Sequence, residues 1–169
     1  MKILRVFPRR TSYTPDGSMV FVGDPPLDRP EADEVHISVT FTWDLHKCYR
    51  LAMAWRQYYP KVLIGGPAMG VAPEGFEPGM YVKEGVTFTS RGCNNVCPFC
   101  LVPEREGKLT EYEQIPPGYI IQDNSFLQCS AEHREKVYRM LDKQPKAAAF
   151  AGGLQASLVT DEIAADLSW

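Results

Sequence analysis

VHISVTFTWDLHKCYRLAMAWRQYYPKVLIGGP, residues 35–67, decides the fold. Val35 to Phe41 is rich in β-branched and aromatic residues and predicts a strand. Asp44 stands where a helix N-cap belongs. Leu45, Cys48, Tyr49, Ala52, Trp55 and Tyr59 follow at helical spacing and form one apolar stripe. Pro60 ends the helix, and Val62-Leu63-Ile64 predicts a short buried strand closing in Gly65-Gly66-Pro67. Strand, helix and strand in about thirty residues make a βαβ crossover, which requires the two strands to pair in parallel. The fold class expected is therefore α/β.

Working outward, Met1 to Val6 begins as another buried strand before Pro8, Arg9 and Arg10. It is too short for a secretory apolar core and lacks a small-residue cleavage site. No run approaches the roughly 18 apolar residues of a membrane span. A cytoplasmic protein without membrane partners is expected. The net charge of −3 offers no electrostatic footprint for nucleic acid.

Residues 67–84 are rich in proline and glycine and mark the expected domain boundary, an N-terminal unit over 1–79 and a second over 80–169. The α/β alternation resumes beyond it. Strands are predicted over Val86 to Thr89, Tyr119 to Gln122 and Ala147 to Phe150. Ser130 caps a predicted helix over 131–143, supported by Glu132–Lys136 and Glu135–Arg139 pairs four apart. Thr160 and Asp161 open a last helix running to Trp169. That helix lacks a stop signal, which suggests a chain cut from something longer.

Five cysteines are present, and Cys93, Cys97 and Cys100 fall within eight residues. A disulfide framework would spread its cysteines along the chain, whereas clustered thiols hold metal. Thiolates select zinc or iron–sulfur centres. A closed zinc site needs a fourth ligand, with Cys48, Cys129 and His133 as candidates. Three packed thiolates without an obvious fourth suit a [4Fe–4S] cube with one iron open. Spacing alone leaves both open.

Ser90-Arg91-Gly92-Cys93-Asn94-Asn95-Val96-Cys97-Pro98-Phe99-Cys100 resembles the C-x3-C-x2-C signature of the radical SAM superfamily, with a lead-in, Thr89-Ser90-Arg91-Gly92, found in many members. The resemblance implies that Cys93, Cys97 and Cys100 bind a [4Fe–4S] cluster whose fourth iron is chelated by S-adenosylmethionine. The implied activity is reductive cleavage of that cofactor to methionine and a 5′-deoxyadenosyl radical acting on an unknown substrate. A flavodoxin- or ferredoxin-like electron donor is the implied partner. The implied fold is a small Rossmann-like parallel unit followed by part of a (β/α) barrel. Only three strand–helix units of that barrel are found before the chain ends, so a fragment is expected, or a truncated protein that binds the cluster without catalysis. A zinc-binding interaction module is the competing class.

The resemblance also assigns cofactor contacts. Phe99, before the third cysteine, corresponds to a residue that meets the adenine, largely through its backbone. Asp123 and Asn124 stand where members hold the SAM amino group, but the usual Gly-Gly-Glu is replaced by Gln122-Asp123-Asn124-Ser125-Phe126. Asp-Asn is equally ordinary turn chemistry. Gly152 and Gly153 either admit a ligand close to the backbone or simply end a strand. The N-terminal unit resembles, more weakly, the module of cobalamin-linked members. Neither His36 nor His46 lies in their Asp-x-His-x-x-Gly pattern, so no cobalamin is expected. Cys48 is expected in the core, Cys129 as a free thiol beside a helix start and His133 at the surface. Arg91 is left between a cluster counter-charge, a carboxylate grip and a solvated loop residue.

Overall fold

The computed structural model describes residues 1–69 and 79–168; most of the Pro/Gly-rich connector and the terminal Trp169 lie outside the described residues. The chain divides into two compact units, Met1–Lys83 and Glu84–Trp169. It is mixed α/β with parallel sheets, as the crossover predicts.

In the first unit, strands β1 (Ile3–Phe7), β2 (Val20–Val22), β3 (Glu34–Ser38) and β4 (Val62–Gly65) form one sheet in the order β2-β1-β3-β4. Every pairing is parallel, with Val35 opposite Val62 and Ile37 opposite Ile64. Helix α1 (Leu45–Arg56) crosses between β3 and β4. Alternate strand residues Leu4, Val6, Val35 and Ile37 join Cys48, Leu51, Ala52 and Trp55 in one buried core. Tyr49, expected in the stripe, is 53% exposed, and Leu51 is buried instead. The buried face is centred on Cys48, Ala52 and Trp55, which turns Tyr49 outward.

β3 is buried along its whole length, including its polar residues. His36 lies within 2.6 Å of the Tyr81 hydroxyl through Nδ1 and 2.9 Å of Glu34 through Nε2. Lys61 donates to the other Glu34 oxygen at 2.5 Å. Asp44 occupies the position preceding α1 but makes no side-chain cap. A 3-10 turn over Thr42–Asp44 leads into the helix, and Arg9 takes the carboxylate in a two-pronged pair at 2.6 and 2.7 Å. A charged guanidinium fork outcompetes a single backbone N–H for the same oxygens.

In the second unit, β5 (Val86–Thr87) is followed by β6 (Ser90–Arg91), α2 (Val102–Glu106) and β7 (Thr110–Glu111). Then come β8 (Ile120–Ile121), α3 (Ala131–Leu141), β9 (Ala149–Phe150) and α4 (Asp161–Asp166). β5, β8 and β9 pair in parallel in that order, and β6 and β7 form an antiparallel pair. The hydroxyls of Ser130 and Thr160 cap α3 and α4 by accepting from His133 N and Ile163 N at 3.1 and 3.2 Å. Phe126 packs between Tyr138 and Phe150 in a core completed by Ile121, Leu127, Val137, Leu141 and Ile163.

His133 is only 3% exposed, contrary to the surface position expected of it. It lies one turn before Val137 on the face of α3 that enters the core, and its ring meets Thr89 Oγ1 at 3.3 Å.

Candidate metal centre

The parallel pairing of β5 ends at Thr87, two residues earlier than the β-rich run suggests. A carboxylate replaces the ladder there. Asp123, two residues past β8, accepts from Thr89 N at 2.7 Å through Oδ1. Its Oδ2 accepts from Thr89 Oγ1 at 2.5 Å and Ser90 Oγ at 2.8 Å. Asp123 is 1% exposed, and Thr89 and Ser90 are fully buried. Its side chain is therefore committed to the protein, tying the ends of two parallel strands.

The next residue continues the tie. Asn124 Oδ1 accepts from Gly92 N at 3.1 Å. Gly92 adopts φ +82, and a Cβ there would stand 2.3 Å from the Lys108 carbonyl oxygen. Only glycine meets both conditions, so the residue before Cys93 fixes where the cysteine loop begins. Cys93 N then donates to Gly107 O at 3.2 Å.

The third strand reaches the same place. Gly152, two residues past β9, packs directly on Asp123: a Cβ at 152 would lie 1.9 Å from the Asp123 carbonyl oxygen. Here the close neighbour is protein backbone. Gly153 has φ +90 and open space where a Cβ would point, which makes it a turn glycine. Both are exposed. The segments after β5, β8 and β9 thus converge at one end of the three-stranded sheet, as the strand order predicts.

Cys93, Cys97 and Cys100 are half-buried, and none of the five cysteines is in a disulfide. Cys100 N donates to Cys97 O at 3.0 Å, which puts these two on one tight turn. Cys93 Sγ accepts from Asn95 N at 3.5 Å. Among the described residues, no group of three or more His, Cys, Asp or Glu side chains is gathered tightly enough to hold a metal ion. The donor chemistry nevertheless fits a thiophilic centre: three partly accessible thiols outside any disulfide share one short loop, and the backbone N–H of Asn95 points at the first sulfur.

The remaining cysteines stand apart from this loop. Cys48 is fully buried, as expected, and desolvation pushes its thiol up to about 11. Cys129 is 2% exposed, and desolvation likewise pushes its thiol up to about 11. Neither is a ready nucleophile or ligand. Arg91 pairs with Glu106 at 3.0 Å and lies over the Phe88 ring at 4.8 Å, so its charge grips a carboxylate of α2.

Phe99 is 88% exposed and Val96 90%. With Leu101, also exposed, they give the cysteine loop an apolar outer edge. Two glutamines missing from the sequence expectations meet the loop from the other side. Gln128, at the end of a 3-10 turn over Phe126–Gln128, and Gln155 both reach the segment Cys93-Asn94-Asn95. No motif marks them, since their contacts span 34 and 60 residues of sequence.

The fold and site define an α/β protein carrying a three-thiol loop at the C-terminal ends of parallel strands. No family model, curated protein or solved structure matches the chain. Among the described residues, no helix is long and apolar enough to cross a membrane.

Proposed function

We propose that the chain is a radical SAM-type protein that binds a [4Fe–4S] cluster through Cys93, Cys97 and Cys100. The observation that carries the reading is the loop itself. Three cysteines at C-x3-C-x2-C spacing, none in a disulfide, follow the end of a parallel strand at the edge where α/β folds carry their sites. When bound, the cluster would supply an electron to the sulfonium of S-adenosylmethionine and release a 5′-deoxyadenosyl radical.

The chain's own residues would act around that chemistry. Asp123 holds the strand ends so that the loop leaves them in one direction, and Gly92 and Asn124 set its first turn. Gly152 allows the third strand end to approach. Asn124, tied to Gly92, and the backbone of Phe99 lie at the loop and, with Gly153, are the groups that would meet the cofactor. In this proposal the three parallel strands of the second unit are the first of a (β/α) barrel. The first unit is a Rossmann-like module without cobalamin. An electron donor of the flavodoxin or ferredoxin kind would supply the electron.

The test is anaerobic purification with iron, sulfide and zinc quantified, for the wild type and a Cys97→Ala variant. The expected result is a brown protein with about four irons and four sulfides per chain, lost in the variant. Formation of 5′-deoxyadenosine from S-adenosylmethionine under a strong reductant then separates the enzyme from a passive cluster carrier. A colourless protein that holds one zinc even after reconstitution overturns the proposal in favour of a metal-stapled interaction module.

A further inference from the structure

Gln128 lies against Cys93, with Nε2 at 3.6 Å and Oε1 at 3.8 Å from the sulfur. The distances alone do not say which end of the amide faces the sulfur chemically. The surrounding donors do. Asn94 N can only donate, and it lies 2.8 Å from Gln128 Oε1, so the carbonyl end is fixed there. The Gln128 NH2 group is left with Gln155 Oε1 at 2.9 Å and with the Cys93 sulfur.

Gln155 is oriented by the same logic. Its Oε1 also accepts from Asn95 Nδ2 at 2.8 Å, while its Nε2 lies 2.8 Å from the Ser157 hydroxyl. Two amides are thus locked in series. One NH2 proton of Gln128 is used by Gln155, which leaves the second for sulfur. Each amide comes from a different strand connection, Gln128 after β8 and Gln155 after β9.

We infer that Gln128, oriented by Gln155, is a positioning residue that donates a side-chain N–H to the Cys93 thiolate and so tunes whatever centre this sulfur ligates. The inference rests on the reading of the cysteine loop as a metal centre. A donor at a ligating sulfur stabilises the state with more negative charge on the centre, and hydrogen bonds to sulfur are among the determinants of cluster potential. Gln128 therefore holds the midpoint potential higher than an apolar residue would. Asn95 N supplies a second donor to the same sulfur, one that no side-chain substitution removes.

The experiment compares wild type, Gln128→Leu and Gln155→Leu after anaerobic reconstitution with iron and sulfide, with midpoint potentials read by titration and iron counted per chain. Gln128→Leu is expected to shift the potential to more negative values while iron content stays at the wild-type level. Gln155→Leu, which leaves the donor in place but frees its orientation, is expected to shift it in the same direction by less. Unchanged potentials in both variants overturn the inference and leave the cluster standing. The same chains loaded with cobalt(II) alone provide a readout independent of cluster assembly. Loss of the donor is expected to move the sulfur-to-cobalt charge-transfer band to lower energy, and coincident bands overturn the role of Gln128. A wild-type chain that takes up neither iron–sulfide nor cobalt overturns this inference together with the reading beneath it.

Discussion

Asp123 binds Thr89 twice, accepting from its backbone N–H at 2.7 Å and from its hydroxyl at 2.5 Å, at a point where both residues are shut away from water. The pair does for β5 and β8 what another ladder step would have done. It also turns the chain toward the cysteine loop, because Ser90 Oγ, the third donor to the carboxylate, lies on the way to Gly92.

Removing that carboxylate should therefore cost more than a surface charge. Asp123→Ala leaves three buried donors without an acceptor, at about 1–3 kcal/mol each before relaxation. Urea denaturation is expected to show a loss of about 3 kcal/mol or more, with Asp123→Asn losing less because it retains an acceptor. A variant as stable as wild type would mean that the tie contributes nothing.

Gly152 and Gly153 should respond differently to alanine. At Gly152 the new methyl meets a carbonyl oxygen that cannot move without moving Asp123. At Gly153 the space is open and only the positive φ opposes it. Gly152→Ala is expected to destabilise by about 1–3 kcal/mol and to disturb metal uptake by the loop. Gly153→Ala should cost about 1 kcal/mol and leave uptake intact. Thermal melts beside metal titrations check both.

Arg9 and Asp44 make the first unit sensitive to acid. Hydrogen bonds from Arg9, opposed by desolvation and helped by the opposite charge, hold the Asp44 carboxyl below its usual range. A carboxyl depressed on folding contributes stability that is complete above its unfolded pKa and is lost as pH falls through the folded one. Asp44→Asn is expected to lower stability at neutral pH and to flatten the decline on acidification. Denaturation midpoints between pH 7 and pH 3 measure this, and parallel curves for variant and wild type would exclude the pair as the cause.

Alkylation should sort the five cysteines into two classes. Cys48 and Cys129 are buried with thiols raised to about 11, whereas the three loop cysteines are half-exposed. Iodoacetamide at pH 8 on metal-free native protein is expected to modify Cys93, Cys97 and Cys100, with Cys48 and Cys129 following only in urea. Peptide mass mapping reads the sites. Native-state labelling of Cys129 would contradict its burial.

The βαβ crossover over 35–65 was legible because it uses local signals: a β-rich run, a stripe at helical spacing and a proline stop. The same holds for the caps Ser130 and Thr160, whose hydroxyls bond only three residues ahead. The parallel pairing of β5, β8 and β9 was expected from the resemblance to a (β/α) barrel, on three strand runs legible in the sequence. What escaped was long-range and polar. The Arg9–Asp44 pair spans 35 residues, and it diverted a residue whose local context said cap. Glutamines carry no periodicity and no motif, so Gln128 and Gln155 were invisible until the strands brought them to Cys93 and Asn95. His133 was expected at the surface from its place near a helix N-terminus, yet its spacing from Val137 and Leu141 already placed it on the buried face. The short pieces β2, β6, β7 and α2 gain their order from neighbours rather than from their own few residues.

The cysteine loop is held at one end. Gly92 donates to Asn124 and Cys93 to the Gly107 carbonyl, Gln128 lies against the Cys93 sulfur and Gln155 accepts from Asn95, while Val96 and Phe99 stand in solvent. In the proposed cluster site its three thiols would act as a chelate with one arm already in place. An ion or cluster captured at Cys93 would meet Cys97 and Cys100 through tethers of only four and seven residues, at effective concentrations of order millimolar for tethers that short. Affinity in such a loop is written in tether length, and a few residues inserted between 94 and 96 would dilute the second and third thiols without touching the first.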